Sequence, residues 1–417
     1  MPALAINGGD PLRDREFHRW PVGDPTDVEV VRETILSGKW FATTGPNVEA
    51  FEQAFAAHQG ARHGIAVNGG TTALQVALRA AGVVPGDEVV IPSYTFVATA
   101  LGVLNVGAIP MFCDVEEETF NMDVASAERA ITEHTTAIMP VHWGGRAADM
   151  EGVLRLAENR GLKVVEDSCH GWGASWRGRG LGSIGFSGGF SFQASKNLTA
   201  GEGGFVTTGN DEAAEVARHM MWAGAGDREG KTSVLGSNYR MSQISAALLL
   251  NQLKRLDEQN RVRMSNSIYL SDALDEIDGF RSVPRHPDVT VDSVYQYVFR
   301  YKRDEFEGVP RETFVEAMNA EGIPVGMGYA RPLQDYPLVA DIPDSMPGGH
   351  PFTSGCYKGS VDYSTIETPV TERLCKEESL TLPSNVFLGP RSDVDDVIAA
   401  VDKVRSNVAE LLEVAAV

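Results

Sequence analysis

The chain has 417 residues, of which 43% are hydrophobic and 22% charged, as in ordinary globular proteins, and its length predicts two domains or one large domain with a smaller appended one. A net charge of −21 argues against nucleic acid and against anionic membranes as partners, because both are bound mainly through lysine and arginine. Four scattered cysteines, no secretory signal pattern and no long apolar run predict a cytoplasmic protein without membrane segments.

From about residue 60 to 210, β-branched runs alternate with helical patterns, which is typical of an α/β domain with a mainly parallel central sheet. The predicted strands are residues 63–68, 88–93, 109–115, 136–143, 163–168, 189–193 and 204–208. The predicted helices between them are residues 71–81, 96–105 and 149–161.

A long helical pattern over residues 243–275 is expected to lead into a second unit. In that unit we expect a strand at 293–302 and helices at 311–322 and 393–414. The sequence therefore predicts a large domain over residues 1–260 and a smaller C-terminal domain over residues 261–417.

The first predicted strand is followed by the turn AVNGGTTALQVAL, which has the order strand, glycine turn, helix N-terminus. Free backbone N–H groups and the helix dipole favour an anion at such a place. The candidate donors to a phosphate are Gly70, Thr71 and Thr72, and Ser191 can add a hydroxyl if its strand ends nearby. Many similar turns bind no ligand, because threonine also caps helices.

Two further candidates follow later strands. After the second strand, SYTFVATA offers Tyr94 and Phe96 as aromatic covers for a flat ring, although such residues more often pack in a core. The fifth strand ends at Asp167 in KVVEDSCHG, and ligands bind at the carboxyl ends of parallel strands. Asp167 could pair with a protonated ring nitrogen, or it could simply cap the next element.

Two patterns in the next segment suggest other chemistry and are set aside. Gly180, Gly182 and Gly185 spell GxGxxG, but they follow no predicted strand and open no predicted helix, so we expect no dinucleotide. Cys169 and His170, with His142 on another strand, lack a second pair at ligand spacing. No metal site is expected.

Lys196 lies in FSFQASKNLTAGEGG, after a short strand and before a glycine-rich turn. An isolated lysine is usually a solvated side chain. Here, however, a carboxylate, a phosphate turn and a ring cover precede it, and pyridoxal 5′-phosphate (PLP) requires these groups together with a lysine that forms a Schiff base. The order predicts a PLP site with Lys196 and Asp167 as its catalytic residues.

The motifs VNGGTTAL, PSYTFVATA, VVEDSCHGWGA, FSFQASKNLTAGEGG and GSNYRMSQISAALLLNQL resemble, in that order, the DegT/DnrJ/EryC1/StrS family of sugar and cyclitol aminotransferases. The resemblance implies the fold type I architecture of PLP-dependent transferases, like aspartate aminotransferase. It also implies that Lys196 forms the Schiff base, that Asp167 pairs with the pyridine nitrogen, that Phe96 stacks on the ring and that His170 lies near the phenolic oxygen.

By the same resemblance, Gly70, Thr71, Thr72 and Ser191 bind the phosphate, and Asn238 reaches the phosphate of a neighbouring subunit. We therefore expect a homodimer with shared active sites. The chain departs from the family pattern at Phe186, where an aspartate is common, and at Trp172, where a histidine is common. It also doubles a glycine of the phosphate turn. These differences bear on the choice of substrate.

NLTAGEGG and the helix sequence after residue 255 resemble the branch of the family that acts on scyllo-inosose. We expect transfer of an amino group from glutamine or glutamate to the ketone of such a cyclitol, in aminoglycoside or amino-sugar biosynthesis. The alternatives are a nucleotide-linked keto-sugar as acceptor, a dehydratase of the 3-amino-5-hydroxybenzoate synthase type, and a regulatory protein that binds PLP or sugar without turnover. The candidate substrate residues, each of which could instead be a packing residue or a solvated charge, are Trp40, His142, Trp143, Tyr329 and Arg331.

Overall fold

The computed structural model describes residues 3–222, 234–341, 349–353 and 355–415. Its strands are β1 (His63–Val67), β2 (Glu88–Pro92), β3 (Ile109–Cys113), β4 (Thr135–Ile138), β5 (Lys163–Asp167), β6 (Ser175–Trp176), β7 (Arg179–Gly180), β8 (Ser187–Ser191), β9 (Gly204–Thr208), β10 (Phe280–Ser282), β11 (Val289–Val291), β12 (Gln296–Tyr301) and β13 (Ser379–Pro383).

The α-helices are distributed along the whole described chain. They are α1 (Pro25–Leu36), α2 (Asn47–Gln59), α3 (Gly70–Ala80), α4 (Ala98–Asn105), α5 (Val124–Ala130), α6 (Met150–Arg160), α7 (Asp211–Met221), α8 (Gln243–Leu274), α9 (Arg311–Ala320), α10 (Pro337–Ala340), α11 (Pro369–Arg373), α12 (Arg391–Ser406) and α13 (Val408–Ala415). Short 3₁₀ turns, such as Trp143–Gly145, connect several of them.

The seven strands of the central sheet run in the order β1-β9-β8-β5-β4-β2-β3. β9 pairs antiparallel with both of its neighbours, and the other pairings are parallel. The predicted α/β fold with a mainly parallel sheet is therefore confirmed. The predicted strand 136–143 was too long, because the chain passes Pro140 and turns at Gly144, which has φ +66°.

Glycines in β8 let helix α3 lie directly on the sheet. A Cβ on Gly189 would come within 2.8 Å of the Leu74 side chain in α3. On the other face, an aromatic cluster that includes Phe51, Phe55 and Phe190 joins α2 to the strands, with Phe55 and Phe190 packed edge to face at 5.1 Å. Because the central sheet is covered on both faces, the ends of its strands are held in place relative to the first turn of α3.

The C-terminal unit is built on a second sheet with the order β10-β12-β13. Its core combines residues of this sheet with residues of α9 and α12, such as Phe299, Phe314 and Val397. α8 runs without a break from the first unit towards the second, so the predicted domain boundary between residues 260 and 261 falls inside a helix. That boundary stays a prediction.

The C-terminal helical pattern at 393–414 forms two helices rather than the single predicted one. The break is at Asn407, whose side-chain amide donates to the carbonyl of Lys403 at 2.8 Å and so competes with the helical hydrogen bonds. None of the helices in the described ranges combines the length and the apolar composition that crossing a membrane requires.

Candidate active site

A cavity of about 860 Å³ opens at the carboxyl ends of β5 and β8, between the central sheet and the C-terminal unit. This is the edge of an open α/β sheet at which ligands generally bind. Ten of the predicted site residues line it: Gly70, Thr71, Thr72, Phe96, Trp143, Asp167, His170, Ser191, Lys196 and Tyr329.

The first turn of α3 forms the anion-binding end of the cavity. Its N-cap residue is Gly69, so no side chain caps the helix, and no acidic residue lies in the first turn. The N–H groups of Gly70, Thr71 and Thr72 are thus available to a bound anion. A Cβ on Gly70 would lie 2.5 Å from the Cβ of Ser191, which places the serine at the same junction and explains the glycine.

Asp167 ends β5 and is only 4% exposed. Its Oδ2 accepts a hydrogen bond from the hydroxyl of Thr99 at 2.8 Å, and its Oδ1 accepts from the backbone N–H of Cys169 at 3.2 Å. Two donors on one carboxylate hold it in a fixed orientation. Thr99 was not among the predicted site residues; it lies in the first turn of α4, within the aromatic motif SYTFVATA.

His170 is a buried, neutral side chain next to Lys196. Burial, and secondly the charge of Lys196, hold the pKa of His170 well below its usual range. Its Nδ1 is buried and has no hydrogen-bond partner among the described residues. Burial likewise raises the pKa of the neighbouring Cys169 thiol well above its usual value, so this cysteine is not a nucleophile.

Lys196 lies in the turn after β8, and its Nζ is 4.1 Å from the centroid of the Tyr295 ring. Among the described residues, no carboxylate lies within the 4.0 Å that defines an ion pair with it. Lys196 is half-buried, and an unpaired lysine inside a cavity is unusual, because a charge that is partly removed from water normally has a partner. The amine is therefore available for covalent chemistry.

The two aromatic candidates after β2 have different positions. Phe96 lines the cavity and is 58% exposed, which is high for a phenylalanine and leaves one face open to a ligand. Tyr94 is fully buried, and its hydroxyl shares a hydrogen bond with Ser379 at 2.7 Å. Tyr94 is therefore a packing residue.

The wall opposite α3 comes largely from the C-terminal unit. Tyr295, Gln296 and Thr381 line the cavity together with Gly326, Gly328 and the predicted Tyr329. Val298, two residues after Gln296, lies directly opposite Thr381 in the β12–β13 ladder, so Gln296 and Thr381 face the same side of the small sheet. Tyr295, Gln296 and Thr381 were not among the predicted site residues, because a strand pattern does not show which face of the strand will line a cavity shared with another unit.

His142 does not line the cavity of this chain, and its predicted substrate role stays a prediction. It is fully buried, its Nδ1 accepts from the N–H of Ala148 at 3.2 Å, and its Nε2 therefore carries a proton that it donates to Glu166 at 3.0 Å. The residue holds the turn before Trp143 in place.

Glu166 also accounts for the GxGxxG pattern. Its carboxylate accepts N–H groups from Gly182 at 2.8 Å, Ile184 at 2.7 Å and Gly185 at 2.6 Å. The N–H groups that would bind a dinucleotide phosphate are thus used inside the protein. In the ranges that the structure describes, no group of three or more His, Cys, Asp or Glu side chains is arranged to hold a metal ion.

Three further predicted residues lie outside the cavity of this chain: Trp40, Arg331 and Asn238. Trp40 is 53% exposed and its indole donates to the carbonyl of Ile35 at 3.1 Å. Arg331 is exposed, with its guanidinium 5.7 Å from the ring of Tyr336. Asn238 is also exposed, and its backbone carbonyl accepts from Asn68 at 3.1 Å. The predicted role of Asn238 towards a neighbouring subunit stays a prediction.

The residues of this cavity fit PLP. The uncapped N-terminus of α3, beside Ser191, could bind a phosphate. Asp167, which accepts two hydrogen bonds from the protein, could pair with a protonated ring nitrogen. The exposed face of Phe96 could stack on a flat ring. The orphaned Nδ1 of His170 is a further polar atom without a protein partner. Lys196 supplies the amine.

Comparisons with known proteins point the same way. The sequence profile of the DegT/DnrJ/EryC1/StrS aminotransferase family matches residues 23–378. A putative L-glutamine:3-amino-2,3-dideoxy-scyllo-inosose aminotransferase of Streptoalloteichus tenebrarius is 36% identical, over 98% of this chain and 99% of the relative. The L-glutamine:scyllo-inosose aminotransferase of Streptomyces griseus is 35% identical, over 98% and 99% respectively.

Among solved structures, that of 3-amino-5-hydroxybenzoic acid synthase is similar to this chain. Its TM-score is 0.81 at 31% sequence identity, with 93% of this chain and 99% of that chain covered. The similarity therefore extends over both units.

Proposed function

Because this chain belongs to the DegT/DnrJ/EryC1/StrS aminotransferase family and is a PLP-dependent aminotransferase, we propose that it transfers the amino group of glutamine to the ketone of a cyclitol related to scyllo-inosose. The observation that carries the proposal is the unpaired Lys196 in a cavity whose other groups fit PLP. The two relatives described above are named for glutamine and for inosose acceptors. Such a reaction belongs to aminoglycoside biosynthesis.

The charge of the cavity supports an acceptor without phosphate groups. Among the described residues that line it, Lys196 is the only lysine or arginine, and His170 is neutral. The exposed Glu202 adds a negative charge at the rim. A nucleotide diphosphate would normally be met by arginine or lysine. A neutral polyol needs only hydrogen-bonding side chains, which Gln296 and Thr381 offer.

PLP, when bound, supplies an electron sink for the carbon that carries the transferred amino group. Asp167, as an anion held by Thr99 and by the N–H of Cys169, would keep a proton on the ring nitrogen. Lys196 would bind the cofactor and, once released, move a proton at its Nζ as general base and acid. The first turn of α3 and Ser191 would hold the phosphate, and Phe96 would cover the ring.

We also propose that the protein is a cytoplasmic homodimer with shared active sites. The exposed position of Asn238 supports this, since its side chain is free to reach a second copy. The four cysteines all lie in the described ranges and are free thiols, which suits a reducing compartment.

Replacing Lys196 with alanine tests the function. We expect the variant to lose covalent PLP attachment and to lose turnover by about 10³-fold or more, because no other described cavity residue can supply the amine. Lys163→Ala is the matched control: Lys163 begins β5 at the opposite edge of the sheet and should leave both properties intact. Retention of attachment and turnover in Lys196→Ala would refute the assignment.

The acceptor is tested by mass. The PLP form should be incubated with glutamine and then offered scyllo-inosose or nucleotide-linked 3-keto and 4-keto sugars. We expect an amine from the cyclitol ketone and little from the nucleotide-linked sugars. An aminated nucleotide sugar, or an aromatic product from a dehydration, would overturn the proposed acceptor or the proposed reaction, respectively.

A further inference from the structure

The segment from Asp292 to Gln296 joins the C-terminal unit to the turn that carries Lys196. Ser293 is its anchor: the hydroxyl donates to the carbonyl of His170 at 2.6 Å, and the backbone carbonyl accepts from the amide of Asn197 at 2.7 Å. Asn197 directly follows Lys196. The segment is therefore fixed to both sides of the cavity floor by buried hydrogen bonds.

Tyr295 is the residue that this segment presents to the lysine. Its backbone N–H donates to the carbonyl of Gly144 at 2.7 Å, which fixes the main chain. Its hydroxyl shares a hydrogen bond with Ser195, the residue before Lys196, at 2.8 Å. The ring centroid lies 4.1 Å from the Nζ of Lys196 and 4.3 Å from the centroid of His170.

From this geometry we propose that Tyr295 is a positioning residue for Lys196: its ring face holds the amine whenever that amine is not bonded to the cofactor, and its hydroxyl fixes the adjoining turn through Ser195. The inference rests on the proposed role of Lys196 in binding PLP. Tyr295, in the C-terminal unit, would thus influence the reactivity of Lys196, which belongs to the first unit.

A ring face suits this purpose better than a carboxylate would. A cation within about 6 Å of an aromatic centroid is attracted to the ring without a directional hydrogen bond. The protonated Lys196 side chain is thus kept inside the cavity, and it has only to lose a proton to water, with no salt bridge to break, before the neutral amine can react. Lysine is a flexible side chain with many rotamers, so restricting it in this way raises the fraction of time in which Nζ lies in the cavity.

The test is the rate at which PLP added to the cofactor-free protein becomes covalently attached to Lys196. Attachment is followed by absorbance, and its site is confirmed by borohydride reduction and the mass of the lysine peptide. Tyr295→Leu, which loses ring and hydroxyl, should slow attachment on the order of tenfold. Tyr295→Phe keeps the ring and should slow attachment only about two- to threefold.

The hydroxyl contact is tested by a second pair of variants. Ser195→Ala removes the same hydrogen bond from the other side, together with the bond that the Ser195 hydroxyl donates to the side-chain carbonyl of Gln193 at 2.7 Å. It should therefore slow attachment at least as much as Tyr295→Phe, and the double variant should be no slower than Ser195→Ala. Tyr297→Phe is the control, because it removes a hydroxyl that pairs with Ser271 at 2.9 Å outside the cavity. This pair decides whether the hydroxyl of Tyr295 fixes the turn even if Tyr295→Leu fails to fold.

Attachment in Tyr295→Leu, Tyr295→Phe and Ser195→Ala at the wild-type rate would overturn the inference, as would additive effects in the double variant. Neither outcome depends on amino transfer. If the mass places PLP on another residue in the wild-type protein, the proposed function itself fails. If Lys196 is labelled and the variants react normally, only the role of Tyr295 is refuted.

Discussion

The two walls of the cavity use their polar groups differently. On the wall from the central sheet, the carboxylate of Asp167 has two donors from the protein itself. On the wall from the C-terminal unit, Gln296 and Thr381 face the cavity, and no side-chain hydrogen bond joins either to another described residue. The first wall is preorganised for one ligand, and the second offers free hydrogen-bonding capacity to another.

With walls that differ in this way, one cavity can serve a fixed cofactor and a variable substrate. A group held by its own protein donors keeps its orientation during chemistry and costs no reorganisation. A group without a protein partner becomes satisfied only when a ligand arrives, and this makes it a selector of ligands. Variants of Asp167 in the first wall should therefore affect chemistry, whereas variants of Gln296 and Thr381 in the second should affect the choice of acceptor.

After Lys196→Ala, the largest effect is expected from Asp167→Asn. The amide can still be held by Thr99, but it lacks the charge that keeps a proton on the ring nitrogen. We expect the half-reaction with glutamine, measured in a single turnover, to slow on the order of 10²- to 10³-fold. Asp123→Asn is the control, because Asp123 caps α5 and asparagine caps equally well. A normal rate in Asp167→Asn would leave Asp167 with a structural role only.

A smaller effect concerns the pH dependence of stability in the first wall. The pKa of His170 is lowered in the folded state by burial and by Lys196, whereas in the unfolded chain it is about 6.5. As the pH falls below 6.5, the unfolded chain therefore binds a proton that the folded protein excludes. The cofactor-free protein should lose about 1 kcal/mol of unfolding free energy from this group between pH 6.5 and 5.5.

His170→Gln removes the titration and should make the unfolding free energy less dependent on pH by that amount. The difference between wild type and variant in denaturant unfolding at the two pH values isolates this group. If the unfolding free energies of wild type and variant change equally with pH, His170 becomes protonated in the folded protein as it does in the unfolded chain. The first wall would then be more accessible to water than the burial of His170 indicates.

The same contrast explains how much the sequence could predict. The turn with Gly70 and the position of Asp167 at a strand end could be predicted, because strand, turn and helix are consecutive in the chain and local chemistry determines them. Gln296 and Thr381 are 85 residues apart in the sequence, and each is more than 100 residues from β5. Whether they line the same cavity therefore depends on how the two units pack together. His142 is a residue type that could bind a substrate, but its side chain points into the protein towards Glu166. Side chains of consecutive residues in an extended segment point to opposite sides, so its neighbours Val141 and Trp143 reach the cavity and His142 does not.

The smallest effect is expected in the second wall, from Gln296→Leu and Thr381→Val. Each removes one hydrogen-bonding group that the acceptor would use, which is worth a factor of about 3 to 10. We expect KM for the cyclitol ketone to rise by that factor while the half-reaction with glutamine stays at the wild-type rate. Thr290→Val is the control, because its hydroxyl accepts the N–H of Gly178 away from the cavity. If the glutamine half-reaction slows as much as the acceptor step, the two walls are not separate in function. If KM does not change, the acceptor is recognised elsewhere.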